Sequence, residues 1–600
     1  LAEIRNPNQQ GSGSSGGGQD PRSMLLFSVM FLVIFLGLQY WKSKKTPPAQ
    51  PAQTASQSTA AQPAQSSVLP APSATIGAAT TDSSANAVVA ETQTQTVVEN
   101  ELYRITFSNR GGQVTSWVLK QWKDDQQKQP LDLVNQAAAA KHGFPLSLYT
   151  YDPALRAKIN SAMFVPSTTG TLQAPGQLSF TYSQGGLTVK KTFTFDASYV
   201  IHATASITNG SVPVAALLAW PSGLGDQVTL PSFGNSYFDT SQNGKYESVA
   251  PKKVSSGSTL NGQFDYAGIS DSYFAAIFLP DAPDASMVVG LNNPITVDRE
   301  PGRPQSGTVP VQILGAAIGN TSNGEVSTRI YAGPKKIEVL NAVRATALNG
   351  TQTGPSIEPI LQFGWIGIVA KPLFFALRFT HDHIVPNWGW SILILTLVIN
   401  IAMLPTRITM MKSAMKMQKI QPEMNQIKEK YKHLKATDPK RAEMNTEVMA
   451  LQKREGVNMF GGCLPMLIQY PLLFGFYRML MHVIELRQAH WLWLHDLATP
   501  DPTHILPIFV IVSMFLVQYL SPSPGMDPAQ QKTMAFMMPA FFGFMMWNFA
   551  AGLALYWAAG NLINVAQQMV MNNTGMGKEM KALAAKRTAK KLGKPAVSRR

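Results

Sequence analysis

Between Leu187 and Ile207 apolar and polar residues take turns. Leu187, Val189, Phe193 and Phe195, then Tyr199, Ile201, Ala203, Ala205 and Ile207, fall on alternate positions. A period of two means a strand with one buried face, and Gly, Pro, Asn and Asp punctuate similar runs from residue 97 to 349. The pattern predicts one large antiparallel β domain, a sandwich over 97–349.

After Pro355 the pattern changes. Leu361, Trp365, Val369, Leu373 and Leu377 recur at every fourth position, with Lys371, Arg378 and Asp382 on another face. This predicts an amphipathic helix over 359–383 lying along a membrane surface; a packed helix kinked at Pro372 is the alternative. Five apolar runs follow: Trp388–Pro405, Cys463–His482, Ile505–Leu520, Thr533–Phe549 and Gly552–Met571. The shorter ones span about 24–27 Å at 1.5 Å per residue, against a bilayer core of about 30 Å, which implies local thinning or shielding by protein. An earlier run, Met24–Trp41, ends in Gln39, Tyr40 and Trp41 without a small-x-small cleavage site, and reads as a first transmembrane anchor (24–41) rather than a signal peptide. Residues 1–23, with "GSGSSGGG", read as a flexible leader. Residues 46–93, built of Pro, Ala, Gln, Ser and Thr, read as a disordered linker that cannot bury a core.

Composition supports a membrane protein: 45% hydrophobic and only 14% charged, where soluble chains carry about 25% charged residues. The single cysteine, Cys463, rules out an intrachain disulfide and reads as a packing residue. The net charge of +15 is unevenly placed. Arg407–Glu455 has twelve basic and six acidic residues, and the tail 572–600 has nine basic and one acidic. The loop Val483–His504 has Arg487 alone against Glu485, Asp496 and Asp501. By the positive-inside rule the first two are cytoplasmic and the third is outside, so both termini are cytoplasmic and the β domain is outside. Lys42, Lys44 and Lys45, after the first span, point the other way and are outweighed by the five clustered spans.

The insert 410–456 carries Met417, Ile420, Met424, Ile427, Tyr431 and Leu434 at heptad spacing, then Met444, Val448 and Leu451 after a turn at Asp438-Pro439. This predicts a cytoplasmic helical hairpin. Its methionine-rich seam either packs on itself or offers a pliable surface to apolar partners.

No phosphate-binding loop, no H-E-x-x-H and no paired cysteines appear, so neither an ATP-driven machine nor a metalloenzyme is indicated. His381 and His383 read as interfacially solvated groups rather than metal ligands. The five carboxyl-terminal runs hold no Asp, Glu or Lys, and Arg478 sits where it can snorkel. Their polarity is uncharged: Thr396 and Asn400 share a face, Gln469 and Gln518 lie on the next two runs, and Asn561, Asn564 and Gln568 follow Tyr556 and Trp557 on the last. Each residue alone suits interhelical hydrogen bonding; together they equally suit a hydrated cavity.

The blocks "NWGWSILILTLVI", "GVNMFGGCLPMLIQYPLLFGFYRML", "ELRQAHWLWLHDL", "DPTHILPIFVIVSMFLVQYLSP", "DPAQQKTMAFMMP" and "GLALYWAAGNLI" resemble, in order from Phe363 to Met571, the Oxa and Alb family of membrane protein insertases. The first span, linker and β domain match its long Gram-negative form. The resemblance implies a polytopic α-helical protein of six spans, five of them forming an insertase core (388–571), with a large all-β periplasmic supersandwich similar to sugar-binding enzymes. It implies a non-enzymatic insertase and chaperone of the cell inner membrane, needing no cofactor and no metal. Its expected partners are nascent membrane proteins, the Sec translocon, the ribosome and the phospholipid bilayer; DNA is not among them. A hydrophilic groove would comprise Thr396, Asn400, Gln469, Gln518, Tyr556, Trp557 and Asn561, with Tyr556 and Trp557 facing the incoming segment. Met417, Met424 and Tyr431 would serve the hairpin, and Lys586, Arg587, Lys590 and Lys591 the ribosome or lipid. The chain departs from the family at Asn400, where a groove arginine is usual, and at Trp557, where a second tyrosine is common. A solute transporter is the alternative reading, and a carbohydrate enzyme built on the β domain a third; neither broken-helix repeats nor a carboxylate pair supports them.

Overall fold

The computed structural model describes residues 87–124, 127–299, 305, 307–321, 325–431, 433–434, 440–456, 464–520, 528–575, 577–579 and 582. The expected anchor 24–41, most of the expected linker 46–93, and Lys586, Arg587, Lys590 and Lys591 lie outside them. The chain divides into a β unit, which ends at Trp365 and also takes in Met481–Gln488, and a helical unit formed by the other residues from Ile366 onward.

Alternation in the sequence becomes alternation in space. Along the strand Leu187–Phe195 every odd position is buried, and the strand pairs antiparallel with Gly176–Gln184 on one side and Val200–Asn209 on the other. The ten-stranded sheet continues through Val326–Pro334, Phe274–Pro280 and Phe264–Ser270. Two five-stranded sheets complete the unit, one centred on Tyr103–Ser108 and Gln113–Lys123, the other on Ser286–Asp298 and Thr308–Asn320. Aromatic side chains join them. Phe107 of one small sheet meets Phe180, Phe193 and Phe195 of the large one, and Trp117 meets Trp220 of the other at 5.6 Å. Four short helices, α1 (Gln136–His142), α2 (Pro153–Ser161), α3 (Leu230–Gly234) and α4 (Ile337–Ala342), lie between strands. The unit starts earlier than the pattern predicts. Val88 and Ala90 of the expected linker donate backbone hydrogen bonds to Ser183 and Met163, as the β-branched pair Val88-Val89 can extend a sheet edge.

One buried position breaks the apolar rule. Lys191 is in the inward register of its strand and is wholly buried. Its ammonium donates to the carbonyls of Gly111, Gly112 and Leu146 at 2.8, 3.0 and 2.8 Å. Burial pushes its pKa down to about 7, and the three carbonyls hold the proton against that penalty. Both glycines have positive φ, 73° and 53°, the turn that aims their carbonyls at the amine.

The helical unit comprises α5 (Gly367–His383), α6 (Trp388–Ala402), α7 (Leu404–Lys430), α8 (Lys440–Arg454), α9 (Leu464–His482), α10 (Ile505–Leu520), α11 (Pro528–Met546) and α12 (Ala551–Asn573). The helix expected over 359–383 starts at Gly367. Before it, Gln362 and Gly364 adopt φ of 55° and 59°, which divides that stretch into two 3₁₀ turns and leaves Trp365 85% exposed instead of on the packed face. The buried stripe of α5 is Ala370, Leu373, Phe374, Leu377 and Thr380, while Ile368, Phe375 and Phe379 face outward. Among the described residues no single helix is long and apolar enough to cross a membrane; α6 and α7 together pass on length and composition, bent by 49°. Pro405, in the first turn of α7, cannot donate to the turn before it, and the helix breaks at Met403.

Replacing Lys191 by Met keeps the stem but strands three carbonyls. The substitution should lower β-unit stability by on the order of 3 kcal/mol, read as an earlier midpoint in urea unfolding followed by tryptophan fluorescence. An unchanged midpoint would show that the cage contributes nothing.

Candidate functional site

The polar residues of the helical unit collect where α6, α10 and α12 meet. The first half of α12 is small and apolar: Ala551, Gly552, Leu553, Ala554 and Leu555 are buried. Gly560 lies beside Thr396 of α6, where a Cβ would be 4.0 Å from Thr396 Cγ2, an ordinary contact. Beyond it the helix turns polar. The Asn561 amide, 8% exposed, donates to Ser513 Oγ of α10 at 3.0 Å, and Ser513 donates to the Val510 carbonyl. Gln567 Nε2 donates to the Asn400 carbonyl of α6 at 3.3 Å, and Asn572 Nδ2 to the Leu520 carbonyl of α10 at 3.4 Å. Gln568 donates to Asn572 Oδ1 at 2.8 Å.

Thr396 is fully buried and donates to the Ile392 carbonyl of its own helix. Asn400 is partly exposed, and its amide donates to the Thr396 carbonyl, one turn back, at 2.8 Å. The side-chain amide at position 400 is therefore satisfied within α6 and does not cross-link helices. Gln518 is partly buried on α10. Gln469 is exposed on α9, away from the polar set made by α6, α10 and α12 in its hydrogen bonding among the described residues. The open face implied for Tyr556 is not what the structure has. Its ring stacks on Phe476 of α9 at 4.1 Å and 13°, leaving it 8% exposed. Trp557 is partly exposed beside Phe542 of α11.

The hairpin closes its own seam. Ile420, Met424 and Leu451 form its core, with Met417, Ile427 and Val448 packed around them. Tyr431 is buried, and both its hydroxyl and the Lys430 ammonium donate to Glu447 Oε1 at 2.8 Å. Met424 and Tyr431 thus serve self-packing, while Met410 and Met449 are the methionines left exposed, at 41% and 49%. Ser513 and Gln567 were missed by sequence reasoning. Ser513 is the only hydroxyl in "VIVSMFLVQ" ahead of the tyrosine, and Gln567 neighbours Gln568; both signals were present but off the spacing that was followed.

Large apolar side chains stand outward on this unit, including Phe544 at 76% and Phe536 at 72% exposed, which water would not tolerate in such number. Apolar helices with outward-facing large side chains and an uncharged polar seam, carried on one chain with a large β domain, are those of a membrane protein with a water-facing domain. The family model of the 60Kd inner membrane protein matches residues 379–579, and that of the YidC periplasmic domain matches 95–376. The membrane protein insertase YidC of Ralstonia nicotianae is 33% identical over 88% of this chain and 92% of its own. Those of Geobacter sulfurreducens and Paraburkholderia phytofirmans are 33% and 36% identical, over 79% and 68% of this chain and 85% and 71% of theirs. The chain belongs to the YidC family of membrane protein insertases, inner-membrane proteins with a periplasmic domain, and is an insertase rather than an enzyme. The solute-transporter alternative is not favoured by any of these matches.

Asn561 and Asn400 should respond oppositely to loss of their amides. Asn561→Ala removes an interhelical bond and should lower the melting temperature, by the equivalent of roughly 0.6–2 kcal/mol. Asn400→Leu removes only an intrahelical one and should leave it nearly unchanged. Equal losses for the two would refute the distinction.

Proposed function

We propose that the polar seam of α6, α10 and α12 is a hydrated groove through which nascent membrane proteins enter the bilayer. The observation that carries this reading is the gathering of uncharged amides and hydroxyls at one place in otherwise apolar helices. In lipid such groups are costly unless water or a substrate meets them. The groove set is Thr396, Asn400, Gln518, Asn561 and the added Ser513 and Gln567, with Gln469 at its margin. A substrate's polar flank enters the seam while its apolar part leaves sideways past Trp557; Tyr556 takes part only when Phe476 moves aside. Short helices favour this. The α6 and α10 helices have 15 and 16 residues, about 22–24 Å at 1.5 Å per residue, so the bilayer over the groove is thin and a polar flank has less hydrocarbon to cross. Hydrophobic partitioning of the apolar part then supplies direction.

In this proposal the chain spans the membrane six times with both termini in the cytoplasm, and α5 lies along the outer surface. The hairpin and the basic tail, with Lys586, Arg587, Lys590 and Lys591, meet the ribosome and anionic lipid. The protein works alone or beside the Sec translocon. Charge attraction by a groove arginine is not part of it: position 400 holds an amide, and Arg407 lies beyond the bend, on α7.

Pure protein in liposomes should insert a small single-span substrate, and Asn400→Leu should slow substrates with polar translocated flanks more than purely apolar ones. Uniform slowing, joined to a lower melting temperature, would refute the groove role. Deleting the tail after Asn573 should weaken ribosome binding at low salt, with little difference left at high salt, as phosphate contacts require. Unchanged binding at low salt would exclude the tail as a ribosome contact.

A further inference from the structure

Residues 489–504 bind the first turn of all three seam helices. On α6, the Asn387 side chain that caps the helix also donates through Nδ2 to the His490 carbonyl at 2.9 Å. Close by, the Trp491 indole lies directly on Gly389: a Cβ there would fall 2.2 Å from the ring, nearer than any side chain can sit. Trp390 adds an edge-on contact to the same ring at 5.7 Å. On α12, whose first N–H groups have no partner within the helix, Ala551 donates to the Thr499 carbonyl at 2.7 Å and Gly552 to the Leu497 carbonyl at 2.8 Å. On α10, the Leu506 N–H donates to Asp501 Oδ2 at 2.8 Å. A tight turn fixes the indole, with Trp491 and Leu494 exchanging backbone hydrogen bonds of 2.9 and 2.8 Å around Leu492, whose φ is 49°. Trp491 is 7% exposed and its ring N–H bonds nothing among the described residues, so the ring serves by its shape. Asn400 lies about 16 Å from Gly389 along α6, so the loop stands apart from the polar seam, with Ile392, Val510 and Leu553 buried between them.

We propose that this loop is a clasp: Trp491, seated on Gly389, positions it to hold the outer ends of α6, α10 and α12 together, and it opens to pass the polar flank of a substrate. The inference rests on the groove reading above, with the loop on the outer side, and adds how a hydrated groove keeps ions from crossing. Water in the seam gives small ions a path if the three helix ends part, since Ile392, Val510 and Leu553 seal only while they are pressed together. A polar flank that enters the seam and ends outside has to cross the same layer. Contacts made by backbone carbonyls and one carboxylate on helix N-termini suit a clasp that reopens, because water meets the freed N–H and C=O groups when it does.

The test uses the full chain, with Cys463 replaced by Ser, in phosphatidylcholine vesicles loaded with potassium. This parent should leak no faster than protein-free vesicles. Trp491→Ala, and Gly389→Ala, which adds one methyl but evicts the indole, should each raise potassium efflux about tenfold, a change that needs only about 1.4 kcal/mol off the barrier. Trp491→Phe, which keeps a flat ring, should stay tight. Pro500 and Ala550 face each other across an antiparallel bridge. The Ala551-to-Thr499 hydrogen bond makes theirs the closer, non-hydrogen-bonded kind of pair, within reach of a disulfide. In Pro500→Cys with Ala550→Cys, oxidation should stop insertion of a single-span substrate with a polar translocated flank, scored by protease protection, and reduction should restore it. This pair decides alone if the other variants do not fold. Tight vesicles with folded Trp491→Ala, or equal insertion by oxidised and reduced protein, overturns the inference. In that event an impermeant maleimide that still reaches Asn400→Cys leaves the groove standing, and one that does not removes the groove as well.

Discussion

Hydrocarbon offers no hydrogen bonds, and the arrangement of the helical unit follows from that. Every polar side chain placed among α6, α10 and α12 must find a partner in the protein, hold water, or remain unmet at a cost on the order of 1–3 kcal/mol. The chain meets this in two ways. Deep positions are closed off: Thr396 bonds its own helix, and Asn561 bonds Ser513 across to α10. Shallower positions are left incomplete, with Gln567 and Asn564 keeping oxygens that nothing described in the protein fills. Buried oxygens without a described partner thus sit in the same seam as side chains that are bonded across helices.

The same constraint governs Lys191 in the β unit, with the opposite outcome. There a charge is enclosed completely, and three carbonyls from two loops meet its three N–H groups. Nothing is left over, so the group organises its surroundings and has no capacity for a ligand. Segment Met481–Gln488 belongs to the same unit. Arg487 donates to the Lys123 carbonyl at 2.8 Å and lies over the rings of Tyr273 and Phe274, so the lone cation of an acidic loop is bound within the β unit.

What could be read in advance was what repeats. The period of two along Leu187–Phe195 and the heptad spacing of Met417, Ile420, Met424 and Ile427 both reappear as buried faces, because burial of a regular element is periodic. Lys191 was invisible to that logic, since its register is apolar and its partners are backbone groups of distant turns. The start of α5 at Gly367 was hidden for a related reason: a four-residue spacing runs on through Gln362 and Gly364, but their backbone does not. In the site, the residue types were legible and their roles were not. Asn400 and Asn561 look alike in sequence, yet one bonds within its helix and the other across. Tyr556 looked like an exposed contact and is covered by Phe476, a residue eighty positions away along the chain.

The claim most exposed to contradiction is that the seam holds water while the surface beside it faces lipid. Asn400 and Val398 are two residues apart on α6; the first edges the seam, and the second is 55% exposed on an apolar face. With Cys463 replaced by Ser, single Asn400→Cys and Val398→Cys variants can be treated with a membrane-impermeant maleimide in inside-out vesicles. Maleimide needs a thiolate, which forms only where water reaches. The account predicts that the cysteine at 400 reacts and the one at 398 does not. Silence at 400, or equal reaction at both, would contradict it.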